Sequence, residues 1–368
     1  APPAAPVPFG LCLDLDGVLY RHASHGYAVV PRADVALRLI QRLRIPTVFV
    51  TNGTGATEAQ KAATLHKLFE CDAQAEDVIM PTTSMRECAA GKRKLVVANQ
   101  HRIAAAIADA YGWSDWISLQ QFAKVHPELH PSGSVAPDEG ELPDPHFHPA
   151  DTIEAVMVTQ SPADWYQGLQ LLLDVLRSRG RVGVEHELGV EEPQFVELHF
   201  GNPDLEYGAS HSLPRITLGA FRKCLETLYT ASTGRELQYT LHGKPYAPTY
   251  ALASDKLDAQ ADCRGGSGVA GWTGAAADEG TGTGTSESQA SGPSQTHPLR
   301  RFYGIGDNPA SDVRGANAAG ARWRSVLVRT GVFRGEGNDA ENQAWAVCDD
   351  VLDALLLVCK EEGVDVGE

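Results

Sequence analysis

Nowhere does the chain hold an uninterrupted apolar run approaching the roughly 20 residues a bilayer-crossing helix needs, so it is expected to be soluble and not to span a membrane. A block of Lys and Arg is missing too. With 31 basic against 47 acidic residues and a formal net charge of -16, the chain offers no basic face for neutralising phosphates, which excludes a nucleic-acid partner. Small anionic substrates are not excluded, but their site must be locally positive or carry a metal. No C-x-x-C pair occurs among the seven scattered cysteines, so reduced thiols in a reducing compartment are expected, with Cys12 a small buried hydrophobe. Internal repeats are absent, and so is an initiator methionine. The opening "APPAAPVPFG" is expected to follow a removed segment, in which any targeting peptide would lie.

What is present is a rhythm. The 368 residues suit a core plus a second lobe, or one domain with a large insertion. "VPFGLCLDLDG" reads as a strand ending at Asp14, and Pro31 opens a helix, "PRADVALRLIQRLR", with Val35, Leu39 and Leu43 on one face. "IPTVFVTNGTG" is a second strand and "TEAQKAATLHKLF" a second helix, and the alternation continues through "KLVVANQ", "IEAVMVTQ", "QFVELHFGN", "LQYTLHGKP" and "RRFYGIGDN". Such alternation predicts parallel sheets with helices on their faces, and ligands beyond the carboxyl ends of the strands. Two stretches break it. "HPELHPSGSVAPDEGELPDPHFHPA", with His126, His130, His146 and His148, reads as a solvated loop and not a metal site, because its histidines are widely spaced. The Gly/Ser/Thr-rich stretch at about 260–298 reads as a flexible surface insertion.

Four strand ends close on polar residues: Asp14 and Asp16 after "FGLCL", Thr51 after "TVFV", Lys244 after "LQYTLHG", and Asp307 after "RFYGIG" with Asp312 beyond it. Each alone has an ordinary reading: a turn at Asp16-Gly17, a strand end at "GKP", a capped loop at "GDNPASD". Together they supply what phosphoryl transfer needs, namely a nucleophile, a proton donor and positive charge around the phosphoryl oxygens. Asp14 can form an aspartyl-phosphate. Asp16 can protonate the leaving group and then activate water. Lys244 and Thr51 can bind the phosphoryl oxygens. Mg²⁺ would offset the repulsion between carboxylates and phosphate, held by Asp14, Asp307 and the Asp16 carbonyl, with Asp312 behind it or orienting Lys244.

These residues resemble the motifs of the haloacid dehalogenase superfamily: "DLDGV", "VTNG", "HGKP" and "GDNPASD". An aspartate two positions after the nucleophile resembles its phosphatase branch. Segments between Thr51 and Lys244 resemble the inserted type C2 cap of the NagD-like subfamily, and "NPDLEYGASHSLPR" with "GDNPASDVRGAN" most resembles the cat eye syndrome critical region protein 5 family. The resemblance implies an α/β fold: a Rossmann-like parallel-sheet core at 8–85 and 212–361, and an α/β cap at 86–211. It implies a Mg²⁺-dependent phosphatase of a small phosphorylated metabolite, with Asn52, Gly53, Asn202 and Asp204 toward the substrate, the last two equally readable as a turn fixed by Pro203. Cap-mediated homodimers and a mitochondrial location are further family expectations. Two other functions stay open on the sequence: a binding or scaffold protein that keeps the fold, and a phosphatase linked to phospholipid precursors.

Overall fold

The structure, a computed structural model, describes residues 7–23, 26–129, 142–144, 147–148, 150–182, 193–209, 211, 213–265 and 299–367. The chain enters through β1 (Phe9–Leu13), turns through a hairpin of β2 (Tyr20–Ala23) and β3 (Gly26–Val29), and continues with β4 (Thr47–Val50) and β5 (Val78–Ile79). It then builds β6 (Lys94–Val97), β7 (Trp116–Ser118), β8 (Ala155–Val158) and β9 (Glu197–Phe200), a second hairpin of β10 (Glu206–Tyr207) and β11 (Arg215–Ile216), and β12 (Thr240–Leu241). Finally β13 (Arg301–Gly306), β14 (Trp323–Val328) and β15 (Ala346–Cys348) return to the first strands.

Two parallel sheets result, in the orders β15-β14-β13-β1-β4-β5 and β12-β9-β8-β6-β7. Their inner strands are continuous apolar runs, fully buried in β1, β4, β6 and β8, because helices cover both faces. In the first sheet Leu37 and Ile40 pack with Leu355 on one face, and Tyr250 and Leu257 with Phe302 on the other. In the second, Leu172, Phe221 and Leu225 lie on one face and Ile107 and Trp113 on the other.

Each sheet changes direction once, between β1 and β13 in the first and between β6 and β8 in the second. Crevices open beyond the carboxyl ends at such points.

Three expectations change. The first helix begins at Ala33, and its buried face is Ala33, Ala36, Leu37, Leu39 and Ile40, leaving Val35 exposed, because Arg32 and not Pro31 sets its first turn. The sequence reading returned the chain to the core at residue 212. The helix Leu218–Thr233 packs Leu218, Phe221, Leu225 and Tyr229 against the second sheet, and β12 pairs with β9. We therefore propose that the inserted unit runs to Leu241. The Gly/Ser-rich stretch begins later than residue 260, since the helix Ala247–Gly265 continues through it, anchored where the Gln260 amide bonds both backbone groups of Thr47. The rest of that stretch, with His130 and His146, lies outside the described residues. His126 is buried against Phe122, and His148 is exposed. All seven cysteines are free.

Candidate active site

The first sheet delivers its polar residues where its strands end. Asp14 follows β1, and its backbone N–H still bonds the Ile305 carbonyl at 2.9 Å, which fixes it beside the end of β13 and therefore beside Asp307. Gly17, at φ +90°, turns the chain sharply after Asp16 and donates to the Tyr20 carbonyl at 2.7 Å. A side chain at Gly17 or at Gly331 would collide with the Asp307 carboxylate, so both positions need glycine. Asp307 Oδ2 accepts from the Val332 N–H at 2.6 Å.

Lys244 is buried at 3 % exposure with all three ammonium protons placed. It lies 2.7 Å from Asp14 Oδ1, 2.6 Å from Asp312 Oδ1 and 3.0 Å from the Val50 carbonyl. Asn52 holds Lys244 in place: its Oδ1 accepts the Lys244 N–H and its Nδ2 donates to the Lys244 carbonyl, both at 2.8 Å, and to Asp204 Oδ2 at 2.9 Å. An amide so fully used positions other residues, where the sequence suggested a substrate contact. Asp312 is held by the Asn308 N–H at 3.0 Å, and Tyr250 donates to its backbone carbonyl at 3.1 Å.

Carboxylate oxygens of Asp14, Asp307 and Asp312 lie within 4.8 Å of one another, buried, with one lysine among them. Burial, opposed by Lys244 and reinforced by Asp312 and Asp307, holds the Asp14 carboxyl well above its ordinary range. Burial and the Asp312 charge push Asp307 up to about 7. Clustered carboxylates whose charge is penalised by burial and by one another are a fitting cage for a hard divalent cation, and their oxygen donors suit Mg²⁺. Lys244 is raised in turn by Asp14 and Asp312, against the opposing effect of its burial.

Asp16 stands apart. Burial raises its carboxyl, but the Lys61 ammonium, His22 and the Thr51 hydroxyl together bring it down to about 2. Thr51 donates to Asp16 Oδ2 at 3.1 Å, and His22 Nε2 lies 3.2 Å from Oδ1 without hydrogen-bond alignment. Gly53 is required here as well, because a Cβ would approach Asp16 Oδ2 to 2.8 Å. Sequence reasoning missed His22 and Lys61. His22 sits on the β2–β3 hairpin, and Lys61 is buried on the helix Glu58–Phe69, where charge on an apolar face was the available signal.

These side chains line a cavity of about 420 Å³ between the sheets. Asp14, Asp16, Thr51, Asn52, Gly53, Asn202, Asp204, Lys244 and Asp307 all reach it, while Asp312 lies behind Lys244. Asn202 and Asp204 line the cavity, and Asn202 Oδ1 accepts the Asp204 N–H at 2.7 Å in a turn. The second sheet contributes two residues not singled out before, Asn99 after β6 and Gln160 after β8. Gln160 Oε1 accepts the Asn99 N–H at 3.2 Å, and its amide packs where a Cβ on Gly55 would be.

With this geometry in place, comparison with known proteins is decisive about kinship. Residues 11–114 match the haloacid dehalogenase-like hydrolase family, and residues 241–354 match a second family described as HAD-hydrolase-like. The chain belongs to the haloacid dehalogenase-like hydrolases. It is an enzyme of that class, and the two matched stretches carry all four strand-end motifs.

Among hydrolase relatives, a mitochondrial hydrolase of Saccharomyces cerevisiae is 29% identical over 352 residues, covering 93% of each chain. A cardiolipin synthase (CMP-forming)/mitochondrial hydrolase fusion protein of Schizosaccharomyces pombe is 29% identical over 345 residues. That match covers 93% of this chain and 51% of the relative, so the chain spans about half the length of the fusion protein.

Solved haloacid dehalogenase structures share the fold. A possible sugar phosphatase of Cytophaga hutchinsonii gives a TM-score of 0.58 at 15% identity, covering 94% of this chain and 95% of the other. A p-nitrophenyl phosphatase of Archaeoglobus fulgidus gives 0.55 at 16%, covering 95% and 98%. A glycerol phosphate phosphatase of Mycobacterium tuberculosis, solved in complex with calcium, gives 0.53 at 17%, covering 94% and 74%. Among the described residues no helix is long and apolar enough to cross a membrane.

Proposed function

We propose that this hydrolase is a Mg²⁺-dependent phosphatase of a small phosphorylated metabolite, working through an aspartyl-phosphate on Asp14. The observation that carries the reading is the Lys244 ammonium, 2.7 Å from Asp14 Oδ1 and 2.6 Å from Asp312 Oδ1, at a cavity that Asp16 also lines. A lysine so placed opposes the burial that raises the Asp14 carboxyl, and its charge attracts an incoming phosphoryl oxygen. Asp14 attacks phosphorus as the bond to the leaving oxygen breaks, and Asp16 gives that oxygen a proton. Asp16 then takes a proton from water as the water attacks the aspartyl-phosphate, and inorganic phosphate leaves. Asp14, Asp307 and the Asp16 carbonyl would hold Mg²⁺, with Asp312 behind them, and the chemistry it supplies is neutralisation of charge on the phosphoryl oxygens.

In the resting site Asp16 is a base, held down to about 2 once Lys61, His22 and Thr51 outweigh its burial. An arriving phosphate dianion repels its negative charge, so the proton for the first half-reaction is acquired as substrate binds. His22 and Lys61 set that balance and are proposed as positioning residues for Asp16. The amides of Asn99, Gln160 and Asn202 face the rest of the substrate. The naming of both relatives as mitochondrial hydrolases supports a mitochondrial setting.

A narrower second reading has one observation in its favour: the fission-yeast relative joins its hydrolase to a cardiolipin synthase. On that reading the phosphorylated metabolite is a phospholipid precursor with a glycerophosphate-type headgroup. One experiment tests both. Phosphate release by wild type and Asp14→Asn, with Mg²⁺ and with chelator, is measured across sugar, nucleotide, glycolate, pyridoxal and glycerol phosphates. Activity needing both metal and Asp14 is expected, and a preference for glycerophosphates selects the narrower reading. Silence from a folded wild type that binds Mg²⁺ would sink the phosphatase reading in favour of a binding role.

A further inference from the structure

Away from the carboxylates, the described residues hold a second group able to grip a metal. Cys88, His199 and His242 each place a ligand atom within 4.8 Å of the others. His199 lies on β9, Cys88 on the connection from β5 to β6, and His242 on the connection from β12 back to Lys244. Both crossings between the two sheets therefore meet at this cluster. The two histidines are 8 % and 7 % exposed.

Hydrogen bonding leaves the pair unsatisfied. Ser84 Oγ donates to the Pro81 carbonyl at 2.9 Å and lies 2.8 Å from His242 Nδ1. With the hydroxyl proton on the Pro81 carbonyl, Ser84 accepts from Nδ1–H and His242 Nε2 carries a lone pair. That nitrogen faces His199 Nδ1 at 3.1 Å. If His199 carries its proton on Nδ1, its Nε2 is a buried lone pair with no donor, 3.7 Å from the Glu197 carboxylate. If the proton is on Nε2, two lone pairs oppose each other at 3.1 Å. With the hydroxyl proton turned to His242 Nδ1 instead, the His199 Nε2–H is a buried donor 3.7 Å from Glu197, so no neutral arrangement gives every atom a partner within hydrogen-bond distance. A cation between the rings removes the conflict.

We propose that Cys88, His199 and His242 form a three-ligand site for a borderline-soft divalent ion of the Zn²⁺ type, distinct from the carboxylate cage. Tetrahedral Zn²⁺ with Zn–N of about 2.0–2.1 Å sets its nitrogen ligands about 3.3 Å apart, so the 3.1 Å separation needs only a small ring movement. Thiolate and imidazole select such an ion against Mg²⁺. Ser84 fixes the outer nitrogen of His242, as groups behind metal-binding histidines do. The Cys88 thiol, raised by burial and by Glu197, now donates to the Ser84 carbonyl at 3.4 Å. Coordination breaks its S–H bond, forms the S–metal bond and releases one proton to solvent. The bound ion would tie β9 to both crossings and so stabilise the junction between the sheets.

The test uses the full chain stripped by chelator, then titrated with Co²⁺ in excess Mg²⁺, so no readout depends on turnover. One equivalent of Co²⁺ should give a near-ultraviolet thiolate charge-transfer band and intense tetrahedral visible bands, both displaced by Zn²⁺. Cys88→Ser should abolish the charge-transfer band and weaken binding at least tenfold, and His242→Asn should do the same to affinity. Asp307→Asn, in the carboxylate cage, should leave the spectrum intact. Metal-free melting of each variant, compared with wild type, separates lost ligands from lost fold, and Cys88→Ala serves if the serine variant melts early. No thiolate band in wild type, a band that survives both Cys88 variants, or one that vanishes with Asp307→Asn would overturn the proposal.

Discussion

The two parallel sheets point their carboxyl ends into the same cavity, yet they arm it differently. The first sheet presents Asp14, Thr51 and Asp307, with Lys244 on the returning chain. The second presents Asn99, Gln160 and Asn202, all neutral amides. On the proposed function, charge sits where charge would develop at phosphorus, among buried groups where electrostatic interactions are strong. Amides can donate or accept without adding charge that would compete for the cation. On that proposed function, one sheet carries the chemistry, and the other discriminates among leaving groups.

The division is broken most directly by removing charge from the first sheet. Lys244→Met is expected to lower kcat/KM for any accepted phosphomonoester by at least about 10³-fold, because its loss removes a fixed cation from both ground and transition states. It also leaves Asp14 and Asp312 without their buried partner, a change that costs roughly 3–5 kcal/mol where the charges cannot protonate. Denaturant unfolding should show that loss in metal-free protein, and Mg²⁺ should recover part of it. A variant that retains most of its turnover would place the chemistry elsewhere.

Removing an amide from the second sheet should do less, and differently. Gln160→Ala is expected to raise KM about tenfold for a preferred metabolite while leaving kcat for p-nitrophenyl phosphate within about threefold. Steady-state kinetics on both substrates checks this. An equal fall in kcat for both would mean that Gln160, through its contact with Gly55, supports the first sheet's loop and does not select substrate.

The first sheet's half of this contrast was legible in the sequence, and most of the second's was not. An aspartate ending an apolar strand is conspicuous because burial penalises it, and Asp14 and Asp307 announced themselves that way. Asn99 and Gln160 end equally good strands, in "KLVVANQ" and "VMVTQ", but an amide after a strand is ordinary turn chemistry. His22 and Lys61 reach Asp16 from a hairpin and a helix that no local pattern ties to it. The proposed end of the inserted unit at Leu241 differs from the sequence reading because the helix Leu218–Thr233 has an apolar stripe that would suit either sheet. Only the pairing of β12 with β9 decides which one receives it.

Asp204 sharpens the comparison, a carboxylate that, with the exposed Glu206, lies on the second sheet's side of the cavity. Burial, outweighing the Asn52 hydrogen bond and Lys244, raises it from 3.8 to about 6. A folded-state value above the unfolded one means the folded protein holds the proton longer. Its contribution to stability is therefore fully present below about pH 4 and is lost as pH rises through 6. Above that, keeping the charge costs about 1–2 kcal/mol, allowing for the side chain's partial exposure to the cavity. Asp204→Asn keeps an oxygen for Asn52 and removes the charge. Metal-free variant should exceed wild type in unfolding free energy by that amount at pH 7.5 and match it at pH 4. An equal difference at both pH values would mean that a nearby cation compensates the Asp204 charge, so that the second sheet's side is as electrostatically committed as the first.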